Sequence, residues 1–367
     1  SPAGEPAAPD VRAVRQAADI LSQAKRPLLI VGKGLRWSEP YAELSRLVSE
    51  WGIPFIASPM GRGALPDDHP LCCSAVRGLA QSKADAVLLL GARLDWTFRF
   101  GSEIPADAKL IQVDIHPPEI GVNVAPAVGI VGDAGQFLRR LLDCLEPMRK
   151  GRRREGLASW HGFLGEAREG KERELAAQTN SERVPMSPYR MLKELRDSLP
   201  RNAVCILDGN VSMAAAQQVL PSYLPASRLT AGSNGCMGVG IPFAIGAKLH
   251  HPDRPVVAVC GDTAFGFNAM EMETAVRHGI AIVVVVVNNE GISGALTEKA
   301  LFPWSRERVT MFQPGIHYEN IMRAFGGHCE FVERPEQLKP ALERALASAA
   351  PACINVRVDP DAPYPRD

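Results

Sequence analysis

The 367-residue sequence has no net charge, because 41 Lys and Arg side chains are balanced by 41 Asp and Glu side chains. A chain without a net field has no general attraction for nucleic acid or for an acidic membrane, so neither is expected as a partner. One local basic run, residues 149–155, is interpreted as a solvated linker or the start of a helix, since blocks of like charge are usually solvated.

The sequence also lacks long apolar runs, a leader segment and paired cysteines. Its longest apolar run, Ile280–Val287, is far too short to span a bilayer, and no charged and apolar signal pattern opens the chain. No C-x-x-C pair occurs, and several cysteines lie in apolar runs, which favours a reducing compartment over a disulfide framework. These absences predict a soluble, cytoplasmic protein.

What is present is an alternation of helix-like and strand-like segments on a chain long enough for two domains. Residues 11–148 and 184–367 each show short apolar runs separated by helical patterns, which is typical of α/β domains with doubly wound parallel sheets. Residues 1–10 are rich in Pro and Ala and are interpreted as a linker remnant. Residues 149–183 are charged and mostly helical, and are predicted to form an exposed connector.

Polar residues follow two apolar runs in the second domain. Asp262 follows the run "VVAVCG", and Asn289 follows "IAIVVVVVN", 27 residues later. In a right-handed β-α-β unit the ends of neighbouring parallel strands lie side by side, so the two side chains should converge. Gly291 could add a backbone carbonyl, and three hard oxygens suit Mg²⁺. A helix predicted to begin after Gly266 would direct its positive end there and favour a diphosphate.

This stretch, "GDTAF…NNEGI", resembles the thiamine diphosphate signature, in which Gly-Asp-x is followed by Asn-Asn after roughly 25–30 residues. The resemblance implies thiamine diphosphate and Mg²⁺ as cofactors, with Asp262, Asn289 and Gly291 as metal ligands. It further implies cofactor contacts at five flanking positions: Gly261, Thr263, Ala264, Ile292 and Ser293.

The resemblance extends to two preceding loops. The stretch "GSNGCMGVGIPFAIGA" is similar to the family's pyrimidine-side loop, which implies that Met237 wedges between the cofactor rings and that the Gly235 carbonyl accepts from the 4′-amino group. The alternative for Met237 is a core methionine. The stretch "LDGNVSMAAAQ" is similar to the phosphate-side loop, in which Gly209, Asn210 and Ser212 would reach the diphosphate.

Within the family, "GDTAFGFNAMEMET" resembles the 2-hydroxyacyl-CoA lyase and oxalyl-CoA decarboxylase branch. The first domain agrees through "RPLLIVGKG", "PFIASPMGRGALPDDHP" and "GARLDW". Acetolactate synthases lack the combination of "PMGRG…PDDHP" and "GARLDW" in this form. The implied activity is cleavage of a 2-hydroxyacyl-CoA to an aldehyde or ketone and formyl-CoA, or the reverse condensation. Oxalyl-CoA decarboxylase, an acetolactate synthase-like carboligase and an inactive nucleotide-binding module remain alternatives.

In that branch the middle domain binds ADP, either as part of coenzyme A or as a separate nucleotide. Arg93 lies just past a strand and could pair with phosphate. Asp114 ends the run "LIQVD" and is placed to accept from a ribose hydroxyl. The alternatives are a surface arginine and a helix-capping aspartate.

One departure concerns the substrate pocket. Relatives commonly have Tyr two residues after the metal-binding glycine, whereas this chain has Ser293. A small hydroxyl in place of a phenol enlarges the pocket beside the reacting carbon, so Ser293 predicts a bulkier acyl centre, branched or ketone-derived, rather than oxalyl.

The resemblance also implies a domain that the sequence does not show. In this family a glutamate that activates the cofactor lies in an N-terminal pyrimidine-binding domain and acts across a dimer interface. No segment here resembles that domain, and the chain begins in linker-like sequence. We therefore expect a fragment, or the larger half of a split enzyme, that is inactive alone, lacks the C-terminal lid and works as a homodimer or homotetramer.

Overall fold

The chain forms two compact units, each built on its own parallel sheet. The computed structural model describes residues 8–151, 154–292, 299–305 and 309–362. One unit comprises the chain up to Glu172 together with Ser222–Ala226, and the other comprises Arg173–Pro221 and the chain from Ser227 onward. The predicted α/β class with two parallel sheets is confirmed.

The first unit has five parallel strands in the order β2-β1-β3-β4-β5. They are β1 (Pro27–Val31), β2 (Phe55–Ala57), β3 (Ala86–Leu90), β4 (Lys109–Asp114) and β5 (Val128–Val131). Its helices include α1 (Val11–Gln23), α2 (Leu35–Ser38), α3 (Tyr41–Trp51), α4 (Arg77–Lys83) and α5 (Ala134–Leu145). β1 is buried on both faces, with Leu29 and Val31 in one core cluster and Leu28 and Ile30 in another, as in a sheet covered on both sides.

The segment predicted as an exposed connector forms most of one long helix, α6 (Arg154–Thr179). In its first half Leu157, Trp160 and Leu164 are buried, and the Trp160 indole donates to the Pro27 carbonyl oxygen at 3.0 Å. These apolar side chains recur every three or four residues and therefore share one face of the helix. The first half of α6 is thus a packed part of the first unit.

The second unit has six parallel strands in the order β10-β11-β9-β8-β6-β7. They are β6 (Val204–Asp208), β7 (Arg228–Leu229), β8 (Val256–Gly261), β9 (Val283–Asn288), β10 (His328–Val332) and β11 (Ala352–Arg357). Its described helices are α7 (Pro188–Ser198), α8 (Asn210–Val219), α9 (Gly240–His250), α10 (Asp262–Asn268), α11 (Glu271–Arg277), α12 (Glu319–Phe325) and α13 (Pro335–Ala347).

The carboxyl ends of β6, β8 and β9 are neighbours. Asp208 pairs in register with Cys260, and Gly261 pairs with Val287. The residues that follow these strands therefore lie along one edge of the sheet. This is the side on which open α/β sheets bind ligands.

The helix after β8 begins earlier than predicted. The sequence predicted a start after Gly266, but α10 begins at Asp262, directly after the strand. Asp262 lies in its first turn, where a carboxylate interacts favourably with free backbone amides. The strand thus passes straight into the helix, and Asp262 is held at the junction.

Within the described part of the chain, no helix combines the length and apolar character needed to cross a membrane.

Candidate cofactor site

The carboxylate of Asp262 joins the ends of β8 and β9. The residue is 2% exposed, and its two carboxylate oxygens accept from the Gly291 amide at 3.0 Å and the Thr263 amide at 2.6 Å. Asn289, in the same loop as Gly291, is also buried. Asp262 therefore touches the loop that carries the other two predicted metal ligands.

Gly291 is enclosed by backbone. A Cβ at this position would lie 2.7 Å from the Thr310 carbonyl oxygen and 2.9 Å from Met311 Cα, distances that real Cβ atoms do not reach. Gly291 forms a bridge with Met311, and the Ile292 amide donates to Thr310 at 2.8 Å. Glycine is thus required here because a second segment packs against it, a reason that the sequence did not reveal.

Asp208 is a site residue that the sequence reasoning missed. The residue is 3% exposed, and its carboxylate accepts from the Gly238 amide at 3.0 Å and the Gly240 amide at 2.7 Å. Burial raises the pKa of Asp208, while backbone amides, including those of Gly209 and Val239, act to lower it. The available signal was an aspartate at the end of an apolar run, as for Asp262.

The loop that contains Met237 is held from two sides. Gly238 has a φ of 93°, and a Cβ there would lie 2.9 Å from Phe267 Cβ. The Asn268 amide donates to the Gly238 carbonyl while Asp208 accepts from the Gly238 N–H. Met237, one residue earlier, is 38% exposed, which excludes the alternative of a core methionine. Gly235 is also exposed and left-handed, with a φ of 63°.

The phosphate-side residues lie next to the end of β8. Gly209 has a φ of 94°, and a Cβ there would lie 3.3 Å from the Gly261 amide and 3.4 Å from Ala264 Cβ. Ser212 is 1% exposed, and its hydroxyl has no hydrogen-bond partner within the described residues. It lies 3.6 Å from the position of a Cβ on Gly261. Asn210 is exposed at the start of α8.

The Ser212 hydroxyl, which lacks a hydrogen-bond partner among the described residues, tests whether this edge suits a diphosphate. A buried hydroxyl without a partner costs about 1–3 kcal/mol, and a phosphate oxygen at this edge would accept its proton. Among the described residues, no cluster of three His, Cys, Asp or Glu side chains could hold a metal. A metal here would therefore need amide and main-chain oxygens beside Asp262, a donor set that suits Mg²⁺. The residues present fit a diphosphate with its magnesium ion.

The two residues predicted for a nucleotide lie in the first unit. β3 and β4 are neighbours, with Leu90 in register with Val113, so Arg93, which follows β3, and Asp114, the last residue of β4, lie at adjacent strand ends. Arg93 is paired with Glu119 at 2.8 Å, and Asp114 accepts from the His116 amide at 2.9 Å. Each thus already has a protein partner. Ser293 lies outside the described residues.

Metal-free stability should depend on the titration of Asp262. Burial raises its pKa from 3.8 to about 6, so the folded chain keeps a proton that the unfolded chain has lost between these pH values. The unfolding free energy in EDTA should therefore fall as pH rises from about 4 to about 6, by on the order of 2–3 kcal/mol. Urea unfolding across this range should show a flatter profile for Asp262→Asn; equal slopes would contradict the assignment.

Two family models match the chain, one in each of its two α/β parts. The model of the thiamine pyrophosphate enzyme central domain matches residues 14–141, and that of the C-terminal TPP binding domain matches residues 208–356. The chain belongs to the thiamine pyrophosphate enzyme family. The family resemblance inferred from the Gly-Asp and Asn-Asn motifs is confirmed.

Individual proteins of this family are similar to the chain over nearly all of its length. The chain is 36% identical to human 2-hydroxyacyl-CoA lyase 1, over 96% of this chain and 63% of the relative. It is 38% identical to the acetolactate synthase large subunit IlvG of Mycobacterium tuberculosis, over 100% of this chain and 65% of the relative. The structure of a proposed thiamin diphosphate-dependent enzyme from Mycobacterium smegmatis superposes on this chain with a TM-score of 0.78 at 25% sequence identity. The match covers 98% of this chain and 66% of that structure. The chain thus spans just under two thirds of the length of these relatives.

Proposed function

We propose that this chain carries the diphosphate and Mg²⁺ site of a thiamine diphosphate-dependent carbon–carbon lyase that cleaves 2-hydroxyacyl-CoA to formyl-CoA and an aldehyde or ketone. The observation that carries the proposal is the buried Asp262 carboxylate in contact with the Gly291 loop, beside the orphaned hydroxyl of Ser212. Both groups would gain partners from a diphosphate–magnesium complex.

Each residue has a definite task in this proposal. Asp262, the Asn289 amide oxygen and the Gly291 carbonyl hold Mg²⁺, and Ser212 donates to a phosphate oxygen. Gly209 lets the backbone approach the same phosphate because it has no side chain. The list of further cofactor contacts is Asn210, Gly261, Thr263, Ala264, Ile292 and Ser293.

Met237 and Gly235 act on the other end of the cofactor. Met237 is exposed on a loop that Asp208 and Asn268 hold in place, so its side chain can support the bent form of a two-ring ligand. The Gly235 carbonyl would accept from the ligand's amino group. Thiamine diphosphate, when bound, supplies the carbanion chemistry, and the protein orients it.

The substrate class is proposed from two sources. Relatives named 2-hydroxyacyl-CoA lyase occur in human and in Arabidopsis thaliana, the latter 37% identical over 95% of this chain. The first unit places Arg93 and Asp114 at adjacent strand ends, where they could contact the ADP part of coenzyme A after Arg93 exchanges its Glu119 partner for phosphate. Oxalyl-CoA decarboxylase and acetolactate synthase are the competing activities.

The activity is proposed to require a pyrimidine-binding domain, supplied by preceding sequence or by another chain, within a homodimer or homotetramer. Described residues of the second unit expose four large apolar side chains near the cofactor loop and α10: Met237, Phe243, Phe267 and Met270. Exposed large apolar side chains on neighbouring elements suit contact with another domain.

A substrate panel tests this proposal. The chain is incubated with thiamine diphosphate and Mg²⁺, with and without a pyrimidine-binding domain, on linear and branched 2-hydroxyacyl-CoA, oxalyl-CoA and pyruvate. We expect formyl-CoA from 2-hydroxyacyl-CoA only when that domain is present. Carbon dioxide from oxalyl-CoA, or acetolactate from pyruvate, would favour the competing activities. Formyl-CoA production by the chain alone would contradict the proposed requirement for a pyrimidine-binding domain.

The same panel tests the role of Ser293. Ser293→Tyr should shift the preference from branched toward linear acyl groups because a phenol fills the space beside the reacting carbon. An unchanged preference would contradict the assignment of Ser293 to the substrate pocket.

A further inference from the structure

We infer that Glu290 is a positioning residue for the magnesium site, an inference that rests on the proposed function. Glu290 lies between Asn289 and Gly291 and has a φ of 59°. A non-glycine residue in this left-handed region costs about 1 kcal/mol or more, so surrounding contacts must hold it there. Its position means that the Glu290 backbone sets the directions of the Asn289 side chain and the Gly291 carbonyl.

The side chain of Glu290 is held by a hydrogen bond and an ion pair that its length allows it to reach. Its Oε1 accepts from the Gly315 amide at 3.1 Å, and its main-chain oxygen accepts from the Phe312 amide at 2.8 Å. Arg357 Nη2 lies 3.7 Å from the same carboxylate oxygen. Glu290 is only 9% exposed, although a carboxylate prefers water. The side chain and the main chain of Glu290 therefore both bind the segment that contains Phe312 and Gly315.

That segment, which we call the strap, comprises residues 310–316. One end is joined to the metal loop by the Ile292 amide, which donates to Thr310. At the other end the Ile316 carbonyl accepts from the side-chain amides of Asn288 and Asn355, each at 3.1 Å. Glu290 grips the middle of the strap. The strap is thus fixed to the end of β9 on both sides of the predicted metal ligands.

The consequence concerns preorganisation of the metal ligands. Residues that orient metal ligands are typically worth about 10–100-fold in metal affinity. If Glu290 releases the strap, the loop can leave its left-handed turn, and Asn289 and Gly291 lose their common direction. The effect depends on the length and acceptor oxygen of the side chain rather than on its charge.

Three variants separate length from charge, with Mn²⁺ as the probe and electron paramagnetic resonance as the readout. Glu290→Gln keeps the length and an acceptor for Gly315, so it should bind Mn²⁺ within about threefold of the wild type. Glu290→Asp keeps the charge but is one carbon too short, so it should bind roughly 10–100-fold more weakly. The control is Glu333→Gln, which removes the more exposed partner of Arg357, at 3.6 Å, and should bind as wild type.

Hydrogen exchange of residues 310–316 provides the second readout, with a thermal melt to confirm folding. It should accelerate in Glu290→Asp and remain slow in Glu290→Gln. Equal Mn²⁺ affinity in Glu290→Asp and wild type would overturn the positioning role, and so would a Gln variant as weak as the Asp variant. A wild-type chain that does not bind Mn²⁺ would overturn the proposed magnesium site itself and this inference with it.

Discussion

Replacing Asp262 by Asn should abolish the thermal stabilisation that Mg²⁺ and thiamine diphosphate together give the second unit. Ligands at 100 times their dissociation constant stabilise a protein by about 2.7 kcal/mol, which is about 5–10 °C in Tm for a unit of this size. Asp262 is the one carboxylate among the three predicted metal ligands, and asparagine has nearly its shape. The variant should therefore lose at least about 100-fold in metal affinity, since even residues outside the ligand set are worth about 10–100-fold.

A matched control is Asp133→Asn in the first unit. Asp133 is also buried and caps α5 by accepting from the Gln136 amide at 2.9 Å, a task that asparagine performs equally well. This variant should keep the full ligand-induced rise in Tm. A normal rise in Asp262→Asn, measured by differential scanning fluorimetry with Mg²⁺ and thiamine diphosphate, would contradict the metal-binding role of Asp262.

Replacing Asp208 by Ala should be the most destabilising single change in the site. The carboxylate accepts from buried backbone amides, including those of Gly238 and Gly240, and its removal leaves them without partners. Each unsatisfied buried amide costs about 1–3 kcal/mol, so the second unit should lose about 2–5 kcal/mol in urea unfolding. Hydrogen exchange in residues 235–240 should rise at the same time, because the Met237 loop loses one of its two supports.

Two comparisons make the Asp208 result specific. Asp208→Asn keeps one acceptor oxygen and should lose less stability than Asp208→Ala. Asp133→Ala, which removes a helix cap, should cost only about 1 kcal/mol and leave exchange in residues 235–240 unchanged. A loss below about 1 kcal/mol for Asp208→Ala, or unaltered exchange in that loop, would show that Asp208 does not hold it.

The edge of the second sheet could be predicted from sequence because strand ends are local features. Apolar runs that stop at Asp262 and at Asn288 mark the ends of two parallel strands, and the helical connection between them, which forms α10 and α11, is typical of neighbouring strands. The role of Met237 between the cofactor rings came from the family resemblance and stays a prediction. The prediction of the two strand ends required only spacing along the chain.

The remaining features depend on contacts between distant segments. Asp208 meets Gly238 across 30 residues, and Gly291 meets Met311 through a close approach of two backbones. Neither contact has a periodic signal. The edge strand β10 also lacks a clear sequence pattern, since four of its five residues are only partly buried and its sequence "HCEFV" does not alternate. Burial of the first half of α6 depends on three apolar side chains in a charged sequence.

The central claim is that the Asp262 edge binds thiamine diphosphate through Mg²⁺, and calorimetric titration of the wild-type chain tests it most directly. The proposed site predicts saturable one-to-one binding of thiamine diphosphate in Mg²⁺ that is lost in EDTA and is competed by inorganic diphosphate, since Asp262 would hold the Mg²⁺ and Ser212 would donate to the diphosphate. Binding of equal strength in EDTA, or the absence of binding in Mg²⁺, would contradict the account.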